Sequence, residues 1–373
     1  MSNKLYIILI LFFIIVQGKA QQAISLSDRF FIDAELLTGN TWAHHKAINY
    51  LLEYPPAGTN FKIGLNSDGS RDWHIDLNYP RYGVGYQYAR LGSDILGNSH
   101  ALYLFIGSDF LNGKRWSWHY DLGAGVGFID NPYDEEKNPL NIVNGSVTNA
   151  FLRVATGVGY KISARHNVGI NGGLFHLSNG NSSLPNWGIN TLYLSLNWEY
   201  LFSDSLQLNH KTKSPTKQLR ITAYGSGGYK EERPVDRIKY IVSDWHINVW
   251  RKYRPGFSYG AGLSLFYDGA SKKMLWRSDY EGKIPLSEFD VKAYEYWSLG
   301  AQAGYMLNMH PVYFSFEFGV YLYSAVNRDI YNRWLLEVLV TDNLRVYGGL
   351  KSRFGKADFV EYGVAYDILK INR

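Results

Sequence analysis

The sequence predicts an all-β protein: a transmembrane antiparallel up-and-down β-barrel of roughly 14 to 16 strands. Three observations support this fold class, namely an apolar N-terminal leader, segments in which apolar and polar residues alternate, and connections that alternate between long and short. Aromatic residues make up 16% of the chain, which has 30 tyrosines and 37 glycines. No segment after the leader approaches the ~20 apolar residues of a membrane-spanning helix. A secreted soluble β-sandwich is the alternative fold.

The N-terminus has the pattern of a secretory signal peptide. Lys4 precedes an unbroken apolar run, Leu5–Val16, which small residues follow. A charged start, a short apolar core and small residues at the end are typical of a cleaved leader. We therefore predict a signal peptide at residues 1–20 and one outer-membrane barrel at residues 21–373, with an uncleaved anchor as the alternative.

Composition excludes several other classes of function. The chain has no cysteine, which rules out a disulfide framework and thiolate metal ligands. Loss of Lys4 and Lys19 with the leader lowers the formal charge from +5 to +3, too little to indicate a nucleic-acid partner. His44 and His45 are adjacent, so on a strand their rings point apart and do not form a metal site. We expect no cofactor and no metal.

Face alternation distinguishes a membrane barrel from a soluble sandwich. In residues 190–200 the even positions are leucine, tryptophan or tyrosine except for Asn190, whereas the odd positions include serine, asparagine and glutamate. Residues 344–351 and 359–368 show the same alternation, with the charged residues restricted to one face. An apolar outer face and a polar inner face are what a barrel strand in a membrane requires.

Connection lengths predict the orientation, because outer-membrane barrels have short periplasmic turns and longer external loops. One exception to the alternation is the connection from Ser203 to Lys217, which is long for a turn. The predicted external loops are Asn131–Gly145, Asn179–Gly188, Lys230–Arg237, Asp268–Ala293 and Ser324–Tyr331, and the predicted turns are Ser163–His166, Tyr253–Gly256, Asn308–Pro311 and Thr341–Asn343.

A polar cluster is expected on the lipid-facing wall near the external end. Ile170, Leu174, His176 and Ser178 share one face of a strand, since residues two apart point the same way. The next strand re-enters with Asn190 on that face, which can lie beside His176 or Ser178. A hydroxyl, an imidazole and an orienting group are the parts of a nucleophile-and-base site. Headgroup-level polar residues without a catalytic role are the alternative interpretation.

The run HLSNGNSSLPNWGIN, residues 176–190, resembles the signature of the outer-membrane lipid A 3-O-deacylases, the PagL-like family, in which H-x-S-N is followed by P-N-x-G-I and an acid. The resemblance covers residues 138–202. The later run GLKSRFGKADFVEYGVAY, residues 349–366, is similar to longer Bacteroidetes-type chains that are described as acyloxyacyl hydrolases.

The resemblance implies a role for each motif residue. Ser178 would be the nucleophile, His176 the general base, Asn186 an oxyanion-hole amide and Asn179 the residue that follows the nucleophile. Asn190 stands where the family has its glutamate, so the orienting group is neutral. Glu199 has the wrong strand parity to replace it.

The function that these features predict is an outer-membrane serine esterase acting on lipid A, that is, lipopolysaccharide in the outer leaflet. Two alternatives remain open: a catalytically silent barrel that acts as a channel or structural protein, and an outer-membrane phospholipase. Lys230, Arg233, Lys272 and Lys273 are either lipid A phosphate ligands or ordinary solvated loop charges. The sequence does not determine the acyl position or the oligomeric state.

Overall fold

The computed structural model describes residues 26–372 apart from residues 44, 205–207, 209–216, 235, 236, 282, 327, 354 and 355. The predicted signal peptide lies outside the described residues. The described chain forms sixteen antiparallel strands, in agreement with the predicted all-β barrel fold and strand number.

The sixteen strands close into two barrels of eight strands each. The strands of the first barrel are β1 (Phe30–Thr41), β2 (Ala57–Asn66), β3 (Arg81–Arg90), β4 (Asn98–Asn112), β5 (Trp116–Ile129), β6 (Thr148–Lys161), β7 (His166–Ser178) and β8 (Ile189–Leu201). Those of the second barrel are β9 (Gln218–Lys230), β10 (Tyr240–Arg254), β11 (Phe257–Asp268), β12 (Trp297–Met309), β13 (Val312–Ser324), β14 (Ile330–Leu339), β15 (Leu344–Arg353) and β16 (Lys356–Asn372).

This arrangement corrects the expectation of one barrel over residues 21–373. β1 pairs with β8, and β9 pairs with β16, so each half of the chain closes on itself. Strand number and loop alternation are the same for one barrel of sixteen strands or two of eight, and only the closing pairs distinguish them. The long connection from Ser203 to Lys217, which did not fit a periplasmic turn, joins the two barrels.

The described residues contain five short helical segments: α1 (Leu26–Arg29) directly before β1, and in the connections α2 (Lys46–Asn49), α3 (Asp72–Asp76), α4 (Ser271–Asp279) and a 3-10 helix (Ala293–Tyr296). None of the helices in the described part of the chain is both long and apolar enough to cross a membrane.

Side chains alternate between the two faces of each strand as predicted. On β8, Leu194 and Leu196 are 64% and 62% exposed on the outer wall. The alternating residues Tyr193 and Ser195 are each only 3% exposed. On β16, Tyr362 is 70% exposed while the adjacent Glu361 is fully buried. The outer walls are therefore apolar and the interiors polar, as a lipid environment requires.

The interior of the first barrel is filled by ion pairs and by an apolar layer. Arg153 contacts Glu35 at 2.6 Å, and Lys62 contacts Asp121 at 2.6 Å. Burying a charge is costly unless it is paired, so these contacts specify which strands face each other across the lumen. The apolar layer lies behind the end of β7 and includes Phe151, Phe175, Leu177 and Ile189.

The second barrel is filled in the same way. Arg333 contacts Glu317 at 3.0 Å and Glu361 at 3.1 Å, and Arg345 contacts Glu337 at 2.6 Å. All five side chains are buried. The lumen is thus a polar core that is held together by ion pairs.

The two barrels contact each other at both ends. At the end that carries the connection 179–188, called the site end below, Asn181 reaches the main chain of β16 at Ala357. At the opposite end the Asp76 carboxylate accepts a 2.7 Å hydrogen bond from Gly256 N, and the Arg71 side chain donates to His310 O. The walls that carry these contacts are therefore adjacent.

Candidate active site

His176 and Asn190 are brought together by the pairing of β7 with β8. The two residues are directly opposite each other in the register, and both point to the outer wall, as their strand parity predicts. His176 Nδ1 lies 2.7 Å from Asn190 Oδ1. An amide oxygen can only accept, so this contact places the ring hydrogen on Nδ1 and leaves Nε2 as an acceptor.

Ser178 is the last residue of β7 and lies two residues beyond His176 on the same face. Its side chain is only 6% exposed because the connection 179–188 covers it. Ser178 Oγ lies 3.1 Å from Asn186 Oδ1 and 3.0 Å from Asn186 Nδ2, and it accepts a 3.3 Å hydrogen bond from Gly180 N. The hydroxyl therefore lies in a small shell of amide groups.

Asn186 holds the two ends of this connection together. Its Oδ1 accepts a 3.1 Å hydrogen bond from Asn179 N, which orients the amide so that Nδ2 lies on the side of Ser178 and Asn181. Asn179 is itself buried, and its side chain donates to Ser183 O at 2.6 Å. Asn186 thus contacts the Ser178 hydroxyl, whereas the Asn179 side chain stabilises the loop.

Gly188 lies next to both the His176 ring and Ser178. Its φ of +73° lies in the left-handed region, which favours glycine. A Cβ at this position would lie 2.8 Å from His176 Cε1 and 3.5 Å from Ser178 Cβ. The motif contains this glycine two residues before Asn190, but no role was predicted for it from the sequence.

Other connections of the first barrel buttress the site. Trp187 N donates to Val143 O at 2.9 Å, and a Cβ on Gly145 would come within 2.6 Å of the Leu184 main chain. The Trp187 ring lies 4.0 Å from that of His45 between ring centres. The connection 179–188 is therefore enclosed by its neighbours at the site end.

Four other charged residues that were named from the sequence have partners or positions of their own. Glu199 points into the first barrel, where it pairs with Arg81, and so does not approach His176. Lys230, which was expected in a loop, is 1% exposed inside the second barrel and pairs with Asp268 at 2.7 Å. Lys273 is also buried, and Arg233 pairs with Glu281. The described residues include no group of three or more histidines and acids with metal-ligand geometry.

Closed barrels with apolar outer walls are typical of outer-membrane proteins, and here a serine, a histidine and two asparagines lie together at the end of one such wall. Two family models match the chain in order. Residues 59–199 match lipid A 3-O-deacylase (PagL), and residues 218–370 match the C-terminal domain of acyloxyacyl hydrolase. Each barrel thus carries one match, the first to the deacylase model and the second to the C-terminal domain model. The comparison with curated proteins gives no match.

Solved barrels are similar to half of the chain. The outer membrane enzyme PagL is 20% identical and covers 44% of this chain and 97% of its own length, with a TM-score of 0.29. Neisserial surface protein A (NspA) is 11% identical and covers 46% of this chain and 96% of its own, with a TM-score of 0.33.

Proposed function

We propose that this chain is an outer-membrane serine esterase that removes an ester-linked acyl chain from lipid A. The observation that carries the proposal is the 2.7 Å contact of His176 Nδ1 with Asn190 Oδ1 beside Ser178, on the wall that faces lipid. A base held in one tautomer next to a hydroxyl is the arrangement that activates a serine.

The reaction follows from the positions of these groups. Ser178 Oγ attacks the carbonyl carbon of the acyl ester, and its proton passes to His176 Nε2. Asn186 Nδ2 and the main-chain N–H of Gly180 then donate to the oxyanion. When the tetrahedral intermediate collapses, the sugar oxygen leaves with the proton from His176. Water attacks the acyl-enzyme in the same way and releases a fatty acid.

The membrane determines how the substrate reaches the site. Ile170, Leu192 and Leu194 are exposed on the wall beside the site and form an apolar surface next to which an acyl chain can lie. A lipid that diffuses laterally in the outer leaflet would present its ester at the depth of Ser178. The substrate class is therefore a lipid with ester-linked chains near its headgroup.

The test is mass spectrometry of lipid A from cells whose outer membranes contain the protein or its Ser178→Ala variant. The proposal predicts that lipid A loses one hydroxyacyl mass with the unchanged protein and retains it with the variant. Phospholipids from the same cells are analysed in parallel, because loss of phospholipid acyl chains alone would identify a phospholipase. Unchanged lipids would favour a catalytically silent barrel, provided that the protein shows the heat-modifiable gel mobility of a folded barrel.

A further inference from the structure

The connection 179–188 belongs to the first barrel but is docked on the second. The Asn181 side-chain amide donates to Ala357 O at 2.5 Å, and Asn181 O accepts a 2.8 Å hydrogen bond from Glu231 N. Ala357 lies on β16 and Glu231 directly follows β9, the two strands that close the second barrel. The seam of the second barrel therefore meets the loop that covers Ser178.

Glu231 adds a charged contact to this docking. Its carboxylate Oε2 accepts a 2.8 Å hydrogen bond from Leu184 N, and the residue is only 5% exposed. A buried carboxylate is costly unless it is hydrogen-bonded, and hydrogen bonds to charged acceptors are stronger than neutral ones. Glu231 thus contacts the loop twice, through its main chain at Asn181 and through its side chain at Leu184.

The main chain of the loop also lies directly against the outer wall of the second barrel. A Cβ on Gly180 would lie 2.4 Å from Val360 Cγ2 and 3.2 Å from Val360 N. The Gly180 φ of +62° reinforces the requirement for glycine. This close approach leaves no room for lipid between the loop and β16 at this point.

A continuous chain of hydrogen bonds runs from the second barrel to the nucleophile. Asn181 Nδ2 donates to Ala357 O, while Asn181 Oδ1 accepts from Asn186 Nδ2 at 3.2 Å. Asn186 Nδ2 lies 3.0 Å from Ser178 Oγ. Asn181 has a φ of +64°, a conformation that asparagine tolerates better than most residues, and this aims its amide at both neighbours.

We infer that the second barrel is a positioning element of the active site: through Asn181 and Glu231 it fixes the Asn186 amide at the oxyanion position beside Ser178. This inference rests on the proposed esterase function. Asn181 and Glu231 are positioning residues and do not react with the ester. Their effect passes through Asn186, which has to be in place before the oxyanion forms, because pre-organised donors are the ones that lower the barrier.

Purified full-length protein, assayed for deacylation of lipid A in detergent micelles, tests the inference. Asn181→Ala and Glu231→Ala should each lower kcat by about ten- to a hundredfold with KM changed little, because an oxyanion donor acts in the transition state rather than on the bound substrate. Glu231→Gln retains an acceptor for Leu184 N and should recover most of kcat. Glu281→Ala, which removes the neighbouring contact to Arg233, is the matched control and should match the unchanged protein.

Hydrogen exchange of the peptide that spans residues 179–188 supplies a readout that does not depend on activity. It should be faster in Asn181→Ala and Glu231→Ala than in Glu281→Ala. Unchanged kcat and unchanged exchange in the first two variants, with Ser178→Ala inactive, would overturn the inference and leave the esterase intact. An unchanged protein that deacylates nothing would refute the proposed function itself, and with it any catalytic role of the second barrel.

Discussion

At the scale of single residues, the feature that separates this motif from the pattern of the PagL-like family that it resembles is the amide at position 190. Asn190 Oδ1 accepts from His176 Nδ1 and therefore selects the tautomer that a general base needs. It carries no charge, however, and so would not stabilise the imidazolium of the proposed reaction. Tautomer selection and charge stabilisation are thus separate contributions in this protein.

Asn190→Asp should raise kcat, by about tenfold or more, because a carboxylate at the same 2.7 Å position stabilises the protonated ring. Asn190→Leu should nearly abolish activity because the ring then loses its orienting acceptor. Lipid A deacylation rates of the unchanged protein and the two variants check both expectations. Equal rates for all three proteins would contradict this role of residue 190.

Gly188→Ala tests the space between base and nucleophile. The added methyl would lie 2.8 Å from His176 Cε1, and the φ of +73° disfavours any side chain. We expect at least a tenfold loss of kcat with the barrel still folded. Gly172→Ala on β7 is the control, because its Cβ would meet nothing closer than a Leu194 methyl group at 3.6 Å.

At the scale of strands and connections, the same alternation that makes the outer wall apolar concentrates charge inside. Glu35 on β1 lies at the centre of such a cluster, where it accepts from Arg153 on β6 at 2.6 Å and from Asn60 on β2 at 3.0 Å. Strands that are distant around the barrel are thereby joined through its lumen. These links hold β6, and with it the pairing that orients β7, in a fixed position.

Arg153→Met should lower the free energy of unfolding by about 3 kcal/mol, because removing one partner of a buried ion pair leaves the other charge uncompensated. The double variant Arg153→Met with Glu35→Gln should recover part of this loss. Urea unfolding in detergent, followed by tryptophan fluorescence, measures both. A single variant as stable as the unchanged protein would show that Lys62, 3.2 Å from Glu35, suffices for compensation.

The segment around α3, at the end opposite the site, gives a pH prediction. Burial lowers the pKa of His74 from 6.5 to about 4, although Asp68 opposes the shift. The unfolded chain therefore binds a proton at a higher pH than the folded one, so the stability contribution is complete above pH 6.5 and is lost as the pH falls from 6.5 toward 4. The urea midpoint should decrease over this range, and less so in His74→Gln.

At the scale of the whole molecule, two filled barrels stand side by side with contacts at both ends. Arg237 and Glu135 form a further contact of 3.3 Å between loops at the site end. In the described part of the chain, buried ion pairs and buried aromatic side chains occupy the interiors of both barrels. The candidate site accordingly lies on an outer wall and not inside either barrel.

Purified protein in planar lipid bilayers should accordingly show no steady single-channel conductance. Buried ion pairs such as Arg333 with Glu317 would have to break before ions could pass. A general porin measured in the same bilayers is the positive control. Stable conductance steps from the unchanged protein would favour the channel alternative over the esterase.

Much of this molecule could be predicted from its sequence because strand parity depends only on residues two apart. The outer and inner faces follow from that local rule, and so does the placement of Asn190 on the face that carries His176 and Ser178. The loop alternation follows separately from the connection lengths. The closure into two barrels could not be predicted, since it depends on whether β8 or β16 pairs with β1. The contacts of Asn181 and Glu231 could not be predicted either, because they join residues that are 47 to 176 positions apart and lie in different barrels.

Each barrel closes on itself, but the connection 179–188 of the first barrel also contacts the second. A stop codon after β8 would leave every strand of the first barrel paired, since β1 closes on β8 without any later residue. The same truncation would remove Glu231, Ala357 and Val360, and with them the contacts that the connection 179–188 makes with the second barrel. In evolution the second barrel could be acquired or lost without breaking the fold of the first. Selection to keep it would act through its contacts with the connection 179–188.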